Sequence, residues 1–479
     1  MTVSFIVPPC FDHKQPAERT AGCTRVVYFA PNIYELTAAA VVERAGYTVA
    51  YHDFVYNSTS PEKLNAFFTA DKSDVYVIWS VNLSISNDLA AIEMLRRHRP
   101  EVKVVLLGPG PTHFIERCLP DQNVYIVRGE PEETLIELLA AIKDGHSPEG
   151  IAGVSWRNSD NKIINNRPRP LIKDLDSLPF AARHLAGNAV YHNPKLKTTP
   201  YTTLITSRNC PFQCLYCVPS SLSFAREIEF KREHGRKPTI GFRSPQNVEA
   251  EIAMLASQGY KAIGFMDDNF IWNEERTRAI CDIMKRYGMV WGCEARVDAI
   301  TEPIAKMLGE SGCRYIDLGI ESFNNDILAY IKKGITVDDI YRAIGLLKKY
   351  NVPVKLNVLI GSSPLETRET VLHTLKEAKR LEVDQVMFNI VSPFPATEWY
   401  KICKENGWIA GGEYVPTDVQ RQSILNLPHL SAEEMEKLLY HNNLSFFLSW
   451  RFISKQIRRF RSPREFLSAL KALKIKLFG

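Results

Sequence analysis

The chain has 479 residues, of which 45% are hydrophobic and 24% are charged, and its net charge is +5. This length gives material for two or three domains with real cores. No run approaches the roughly 18 apolar residues of a membrane span, and the N-terminus lacks the basic and apolar regions of a secretion signal. A cytoplasmic location is therefore expected, where ten cysteines are candidates for metal or redox work and not for disulfides.

The first segment alternates short apolar runs with helical patterns. The runs are continuous in hydrophobicity, as strands buried on both faces of a parallel sheet are. They cover residues 3–7, 48–54, 75–81, 102–107 and 124–127. Helices are predicted over residues 35–45, ended by Gly46, and over residues 88–97, with Asn87 as N-cap. Residues 1–148 are thus predicted to form a doubly wound parallel sheet of the Rossmann-like kind.

The remaining chain is predicted to contain three further segments. Residues 149–199 are expected to form a linker with a small β-meander, whose hairpin covers residues 153–157 and 162–166. Residues 200–400 resume the alternation with six βα units, which predicts a partial (β/α)6 barrel of the TIM type. The six predicted strands cover residues 204–206, 262–266, 290–294, 315–320, 354–360 and 385–390. Residues 401–479 are predicted to form a helical C-terminal region with a basic amphipathic tail.

The strongest motif is a group of three cysteines, Cys210, Cys214 and Cys217, in the spacing C-x3-C-x2-C. It follows the first predicted barrel strand, on a loop where a barrel places its active groups. Thiolates are the ligands of iron–sulfur clusters, and three of them leave one iron of a cubane open. A zinc site would need a fourth cysteine or histidine nearby, and none lies within a knuckle spacing.

This motif, with Tyr216 before its last cysteine, resembles that of the radical S-adenosylmethionine (SAM) superfamily. The resemblance implies a 4Fe–4S cluster that cleaves SAM and generates a 5′-deoxyadenosyl radical. It also implies SAM contacts at successive strand ends, from Phe265-Met266-Asp267-Asp268 through Arg296 to Gly319-Ile320-Glu321-Ser322. The residues predicted to bind SAM are Tyr216, Asp267, Asp268, Arg296, Glu321 and Ser322.

The chain departs from the family pattern at two loops. Relatives often have Gly-x-Pro-Gly-Glu-Thr where this chain has Ser362-Ser363-Pro364-Leu365-Glu366-Thr367. They often have Pro-Phe-Pro-Gly-Thr where it has Ala396. Both differences concern loop geometry and not the cluster motif.

The first domain resembles the cobalamin-binding domain that precedes the barrel in a large class of radical SAM enzymes. The resemblance lies in Gly108-Pro109-Gly110-Pro111 and Gly129-Glu130-Pro131, among other pieces. Glycines there would let the backbone approach a corrin closely. The residues predicted to contact cobalamin are Gly108, Gly110, Gly129 and Glu130. The Asp-x-His-x-x-Gly pattern that supplies a lower cobalt ligand in mutases is absent from the sequence.

The C-terminal tail from Arg451 to Gly479 carries nine lysines and arginines and one acid, Glu465. Apolar residues alternate with the cations at helical spacing. Such helices lie on anionic membrane surfaces, and the same pattern suits a helix packed on the barrel with a solvated basic face. The sequence leaves both open, and it contains no module that predicts nucleic-acid binding.

The sequence therefore predicts a cobalamin-dependent radical SAM methyltransferase that acts on an unactivated carbon. Its substrate is expected to be a small, lipid-like or secondary-metabolite molecule, and its electron donor a flavodoxin or ferredoxin. The alternative within the class is a cyclase or carbon–carbon coupling enzyme. A non-catalytic iron–sulfur or cobalamin sensor is the alternative outside it, although a sensor would not need the residues predicted to bind SAM.

Overall fold

The computed structural model describes the chain except residues 13–15, 23, 27, 57–59, 188, 382 and 458–479. The chain divides into two compact units that interleave along the sequence. The first unit contains Met1–Tyr191, Thr202–Pro211 and Pro219–Glu251. The second contains His192–Tyr201, Phe212–Val218 and Ile252–Gly479. The sequence-derived domain boundaries at 148, 199 and 400 stay predictions.

The first unit is organised around a seven-stranded sheet. Its strands are β1 (Thr2–Val7), β2 (Thr48–Asp53), β3 (Val75–Trp79), β4 (Lys103–Leu107), β5 (Val124–Val127), β6 (Val154–Arg157) and β7 (Ile163–Asn165). Their order is β2-β1-β3-β4-β5-β6-β7. The first five pair in parallel, and β6 and β7 add an antiparallel edge. The order reverses between β1 and β3, and ligands of such sheets bind beyond the carboxyl ends of the strands at that point.

Helices cover the parallel part of this sheet. They are α1 (Ile33–Arg44), α2 (Pro61–Ala70), α3 (Ile85–His98), α4 (Pro109–His113), α5 (Ile115–Cys118) and α6 (Pro131–Asp144). Buried apolar side chains of the strands pack against α2 and α3 in one continuous core that includes Ile6, Phe68 and Ile92. Asn32 caps α1 by accepting hydrogen bonds from the backbone of Tyr34 and Glu35.

Later segments add further elements to the first unit. These are β8 (Tyr201–Leu204, whose first residue belongs to the second unit), β9 (Ser207–Arg208), α7 (Ser221–His234), β10 (Gly241–Phe242) and the start of α8 (Pro245–Ser257). Strands β9 and β10 pair antiparallel. Two 3-10 helices, Leu175–Ser177 and Arg183–Ala186, precede them.

The second unit is built on consecutive parallel strands. They are β11 (Ala262–Phe265), β12 (Val290–Ala295), β13 (Cys313–Glu321), β14 (Val354–Ile360) and β15 (Gln385–Ile390). Each pairs with the next in the chain, and the six-stranded sheet has the order β15-β14-β13-β12-β11-β8. The helices between and after the strands are α9 (Glu274–Arg286), α10 (Glu302–Glu310), α11 (Asn325–Tyr330), α12 (Val337–Lys349), α13 (Arg368–Arg380), α14 (Glu398–Glu405), α15 (Ala432–Phe447) and α16 (Trp450–Ile457). A 3-10 turn, Val297–Ala299, follows β12.

The α/β class, the N-terminal parallel sheet, the sequential βα units and the helical C-terminal region predicted from the sequence are confirmed. The predicted hairpin is confirmed as β6 and β7, which pair antiparallel and extend the main sheet. Two details are wrong. The helix assigned to residues 88–97 begins at Ile85 after Ser84, and Asn87 lies inside it, where it accepts from Phe11 N and donates to Pro9 O. The first barrel strand is β8, at Tyr201–Leu204, and not at residues 204–206. Thr206 lies outside the strand because its carbonyl accepts a hydrogen bond from Arg243 N, beside the β9–β10 pair.

Within the described residues no helix is both long and apolar enough to cross a membrane. The basic tail begins in α16, and residues 458–479 lie outside the described part of the chain. The predicted membrane or barrel contact of the tail therefore stays a prediction.

Candidate functional site

The three motif cysteines lie in a segment without helix or strand, between β9 and α7. Cys210, Cys214 and Cys217 are each partly exposed. A turn brings Cys217 N to 3.3 Å from Cys214 O. Within the described residues, no three histidine, cysteine or acidic side chains converge closely enough to hold a metal ion as they stand. The donor set nevertheless fits an iron–sulfur cluster, since it offers three accessible thiols on an irregular segment.

All the other described cysteines except Cys10 are buried, which makes them poor ligands for a metal cluster. Cys10 is partly exposed, and Cys118, Cys281, Cys293, Cys313 and Cys403 are buried. Burial raises the pKa of Cys118, Cys281 and Cys403 to about 12, so these groups remain thiols. Burial thus argues against these three cysteines as thiolate ligands.

The residues before Cys210 are held by a buried ion-pair network in the first unit. Arg208 donates to Glu130 at 2.7 Å and to Glu132 at 2.6 Å, and Arg226 Nε lies 2.9 Å from Glu130 Oε1. Burial alone would raise the pKa of Glu130, but Arg226 and Arg208 lower it. Glu130, predicted to contact cobalamin, thus binds two arginines, and its second oxygen accepts from Ile172 N at 2.7 Å. Sequence reasoning missed this network, because only the fold brings Arg208 and Arg226 to Glu130 and Glu132.

In the second unit, Arg296 is fixed in place by three contacts. Its guanidinium carbon lies 3.6 Å from the ring centroid of Phe212, inside the cysteine motif. It donates to both carboxylate oxygens of Asp298 at 2.9 Å and to Lys333 O at 2.7 Å. A cation above an aromatic face is attracted to the ring. The contact therefore links the end of strand β12 to the segment that bears Cys214 and Cys217. Its predicted contact with the SAM carboxylate stays a prediction.

A second buried group joins the motif to the end of β13. The hydroxyl of Tyr216 hydrogen-bonds Glu321, whose other partner is Lys333 Nζ at 2.6 Å. Loss of solvent raises the pKa of Tyr216 well above its usual value, with help from the charges of Glu321 and the motif cysteines. Glu321 has φ +62°, a left-handed conformation that is costly for a residue with a side chain. Ser322, the next residue, is buried, and Ser322 N donates to Ile320 O at 2.8 Å.

The acidic pair after β11 divides between two environments. Asp267 is buried, whereas Asp268 is partly exposed. Phe270 N donates to Glu294 O at 2.9 Å, which ties this loop to β12. The structure therefore brings Asp267, Asp268, Arg296 and Glu321 to the carboxyl ends of three neighbouring strands, and their SAM contacts remain predicted.

The loop that departs from the family pattern after β14 is ordered by Glu366. Its carboxylate accepts from Gly361 N at 2.8 Å, Ser362 N at 2.7 Å and Ser362 Oγ at 2.6 Å. The pKa of Glu366 is raised by burial, and these hydrogen bonds oppose the shift. The serine that replaces glycine at the first position of the motif thus provides a hydrogen bond that glycine lacks.

In the first unit, buried polar atoms without partners lie at the switch point of the sheet. Asn32 and Glu35 start α1, which the chain enters after β1, and Asn82 follows β3. Asn32 Nδ2, Glu35 Oε1 and Asn82 Oδ1 are buried and have no hydrogen-bond partner in the described structure. Buried polar atoms are rarely left without a hydrogen-bond partner, and a bound polar ligand would explain these three. These residues fit the polar periphery of a corrin or its nucleotide tail, and sequence reasoning did not name them.

The backbone conformation or the packing of the first unit itself favours glycine at the three glycines predicted to contact cobalamin. Gly108 has φ +94°, and a Cβ on it would lie 2.5 Å from Ser80 O. A Cβ on Gly110 would lie 3.0 Å from the Ile85 side chain. Gly129 has φ +71°. Internal packing therefore accounts for the first two, and their contact with a cofactor stays a prediction.

Comparison with known proteins gives matches over both units. Residues 204–378 match the family model of the radical SAM superfamily. An uncharacterised methyltransferase of Pyrococcus horikoshii is 29% identical over 471 residues, which cover 95% of each chain. The anaerobic magnesium-protoporphyrin IX monomethyl ester cyclase of Rubrivivax gelatinosus is 24% identical over 376 residues, covering 76% of this chain and 64% of that one.

The fold has also been seen in a solved structure. The radical SAM methyltransferase TsrM from Kitasatospora setae, with cobalamin and a 4Fe–4S cluster bound, superposes with a TM-score of 0.64 at 17% identity. The match covers 91% of this chain and 81% of that one. At this identity the likeness establishes the shared fold.

Proposed function

We propose that this protein, whose residues 204–378 form a radical SAM domain, is a cobalamin-dependent methyltransferase acting on an unactivated carbon of a small organic molecule. The observation that carries the proposal is the position of Cys210, Cys214 and Cys217 inside that domain, on accessible and irregular backbone. The similarity to a Pyrococcus horikoshii methyltransferase over nearly the whole chain supports methyl transfer.

In this proposal the motif cysteines hold the cluster, and the residues around them position it. When bound, the cluster supplies the electron that cleaves SAM, and the cleaved SAM supplies the radical that abstracts a substrate hydrogen. Arg208 and its partners Glu130 and Glu132 hold the backbone just before Cys210. Phe212, stacked on Arg296, holds the backbone between the first two cysteines. Asp267, Asp268 and Ser322 are proposed to contact SAM with Tyr216, Arg296 and Glu321.

The charge of Lys333 belongs to the same proposal. It lies buried against Glu321, and its pKa is raised because the attraction of Glu321 and Cys214 exceeds the cost of burial. Lys333 thus places a buried positive charge beside the motif, while its backbone carbonyl orients Arg296.

Cobalamin is proposed to bind at the switch point of the first unit. There Asn32 Nδ2 supplies a donor and Asn82 Oδ1 an acceptor, and Glu35, whose pKa burial raises to about 8, supplies a carboxylic acid group. Gly108, Gly110, Gly129 and Glu130 are proposed to shape the adjoining loops. Bound cobalamin would supply the methyl group, and the sequence offers no histidine ligand in an Asp-x-His-x-x-Gly pattern.

The partners follow from this chemistry. The reaction needs a small-molecule substrate and a one-electron reductant, for which a flavodoxin or ferredoxin is proposed. A lipid-like substrate and peripheral membrane contact are proposed from the basic tail alone.

A second candidate is a cobalamin-associated cyclase or carbon–carbon coupling enzyme. The similarity to the Rubrivivax gelatinosus cyclase favours it. The two candidates differ in whether a SAM-derived methyl group enters the product.

The experiment is an anaerobic purification with cobalamin, iron and sulfide supplied, followed by reduction with SAM. The expected result is cluster and corrin absorption together with 5′-deoxyadenosine, and transfer of label from methyl-labelled SAM to cobalamin. Cluster and SAM cleavage without corrin would remove the methyl-transfer mechanism. Absence of a cluster would overturn the proposal. Cys281→Ala, at a buried cysteine outside the motif, is the control that should retain the cluster.

A further inference from the structure

The inner face of the second unit's sheet is polar and open. Along β14 and β15, the residues of one face are buried and those of the other are partly exposed in strict alternation. The buried face consists of Val354, Leu356, Val358, Ile360, Val386, Phe388 and Ile390, and the open face of Lys355, Asn357, Leu359, Gln385, Met387 and Asn389. Barrels of this type usually fill their interior with branched apolar side chains. Here four of the six open positions carry an amide or a charge.

One row of this inner face carries four polar side chains across four adjacent strands. Glu294 on β12 is in register with Asp317 on β13, and Asp317 with Lys355 on β14. Lys355 is in register with Gln385 on β15. Residues in register on neighbouring strands project to the same side with Cβ atoms about 5 Å apart. The four therefore form one layer inside the sheet.

Asp317 is the centre of this layer. Lys195 and Lys355 both donate to its Oδ2, at 2.6 Å and 2.8 Å. Its other oxygen, Oδ1, is buried and accepts no hydrogen bond from the described residues. The side chain is 3% exposed, so open solvent does not satisfy that oxygen. Lys195 also lies 4.3 Å above the ring of Tyr315, which holds it in place.

Glu294 is in register with Asp317 on the neighbouring strand. Its side chain is exposed, and within the described structure no hydrogen bond or ion pair reaches its carboxylate. The pKa of Glu294 is raised to about 7, chiefly by desolvation. The negative charges of Asp317 and Asp268 also raise this pKa, whereas Lys355 and Lys195 lower it. The carboxylate of Glu294 and the Oδ1 atom of Asp317, on adjacent strands, are thus acceptors without a donor in the described structure.

We infer that Glu294 and Oδ1 of Asp317 bind a protonated amine of the substrate. An ammonium group donates up to three hydrogen bonds, which these two acceptors without a hydrogen-bond donor can receive, and its charge strengthens those bonds. An anionic substrate group is disfavoured, because both lysines already bind Asp317. This inference rests on the proposed function and narrows it to amine-bearing small molecules.

The layer also orients the substrate. Asp317 precedes Glu321 by four residues on β13, roughly 13 Å at about 3.3 Å per residue. The amine would therefore bind deep in the sheet's interior. The carbon that receives the methyl group would lie at the other end of the substrate, toward the strand ends proposed to bind SAM.

The test uses the full chain with its cluster, without SAM, and two probes of equal size, n-butylammonium and 1-butanol, followed by ligand-observed NMR at pH 8. We expect the wild type to bind n-butylammonium at least tenfold more tightly than 1-butanol. Glu294→Gln should lose at least tenfold of that affinity. The control Glu405→Gln, at an exposed carboxylate on α14 paired with Lys401 at 3.8 Å, should lose none. Equal affinity of the wild type for both probes, or unchanged affinity in Glu294→Gln, would overturn the inference.

A pH series on the wild type tests the same site without a variant. Binding of n-butylammonium should strengthen between pH 6 and pH 8 as Glu294 ionises. Asp317, Lys355, Lys195 and Asp268 face Glu294 from β13, β14, the segment before β8 and the loop after β11. A flat profile would overturn the inference. Assaying 5′-deoxyadenosine on the same preparation separates the two proposals. SAM cleavage without a preference for the amine would refute only the amine site. A preference for the amine in a protein without a cluster would refute only the proposed function.

Discussion

At the scale of single residues, Glu35 lies in surroundings that oppose its ionisation. It is fully buried at the start of α1, and one of its oxygens has no hydrogen-bond partner in the described structure. Burial raises its pKa to about 8, and the charge of Asp53 adds to the rise, although Arg19 opposes it. In an unfolded chain a glutamate has a pKa of about 4.3. The folded state therefore favours the protonated form.

This shift predicts a pH-dependent cost in stability. Because the folded pKa is the higher one, the free energy of unfolding falls as pH rises from about 4.3 to about 8. Glu35→Gln, neutral at every pH, should be more stable than the apo wild type by a few kcal/mol at pH 8, since each pKa unit is worth about 1.4 kcal/mol. The gain should nearly vanish at pH 4.5. Urea unfolding at both pH values measures it, with exposed Glu149→Gln as the control. An equal gain at both pH values would contradict this account.

Ala396 is a residue in a conformation that suits glycine. It has φ +76° in the loop after β15, where similar enzymes often have glycine. A left-handed backbone costs a residue with a Cβ about 1–2 kcal/mol, whereas glycine adds about 0.4–1 kcal/mol of unfolded-state entropy. The residue therefore carries strain that the family pattern avoids.

Ala396→Gly is accordingly expected to stabilise the chain by about 0.5–1 kcal/mol, measured by urea unfolding. The control is Ala66→Gly on the exposed face of α2, which should destabilise by about 1 kcal/mol. The opposite signs distinguish relief of backbone strain from a general effect of glycine. Destabilisation by Ala396→Gly would show that the left-handed conformation costs little here.

At the scale of elements, helix α7 shows what the sequence conceals. Residues 221–229 are all buried, yet they include Arg226, Glu227 and Glu229. These charges are buried because they are paired, Glu229 with Arg128 at 2.8 Å and Arg226 with Glu130 at 2.9 Å. A pattern of apolar periodicity cannot reveal a helix whose buried positions are charged.

The strands, by contrast, followed directly from hydrophobic pattern. Strands β3 and β5 are buried at every position, so their apolar runs are continuous and their parallel pairing was predictable. The cluster motif was predictable from spacing, since thiolate chemistry needs those residue types. The ion pairs around Glu130, the unsatisfied atoms at the switch point and the Glu294–Asp317 pair were not, because each depends on side chains distant in sequence that only the fold brings together.

The loop from β4 to α4 permits a test of close backbone contact. Gly108 has φ +94° and ψ −176°, a region that glycine almost alone adopts, and its missing Cβ would meet Ser80 O at 2.5 Å. Gly46, after α1, has φ +87° with no atom within 4 Å of a Cβ. The two glycines share positive φ and differ in the space around them.

Gly46→Ala should therefore cost about 1 kcal/mol, from backbone strain alone. Gly108→Ala should cost about 3 kcal/mol or more, because Ser80 must also move and its carbonyl accepts from Gly110 N. Denaturant unfolding of both variants gives the comparison. Equal losses would mean that the loop relaxes freely around an added methyl group.

At the scale of the whole molecule, the proposed chemistry is divided between the two units. The unsatisfied atoms proposed to meet cobalamin belong to the first unit, as does Cys210, whereas Cys214 and Cys217 belong to the second. The chain crosses from one unit to the other several times between Tyr191 and Ile252. Separability therefore cannot be tested by cutting the chain at one boundary, and a point substitution is the cleaner probe.

Cys214→Ala is expected to abolish 5′-deoxyadenosine formation, because two thiolates do not hold the cluster in the geometry that SAM cleavage needs. The same variant should bind cobalamin with an affinity within about twofold of the wild type, since the switch-point residues are unchanged. Corrin absorbance after gel filtration measures binding, and anaerobic product analysis measures cleavage. Cys403→Ala, at a buried cysteine of α14, controls for loss of a thiol as such and should keep both activities. Loss of corrin from Cys214→Ala with a folded chain would show that the cluster and the cobalamin site depend on one another.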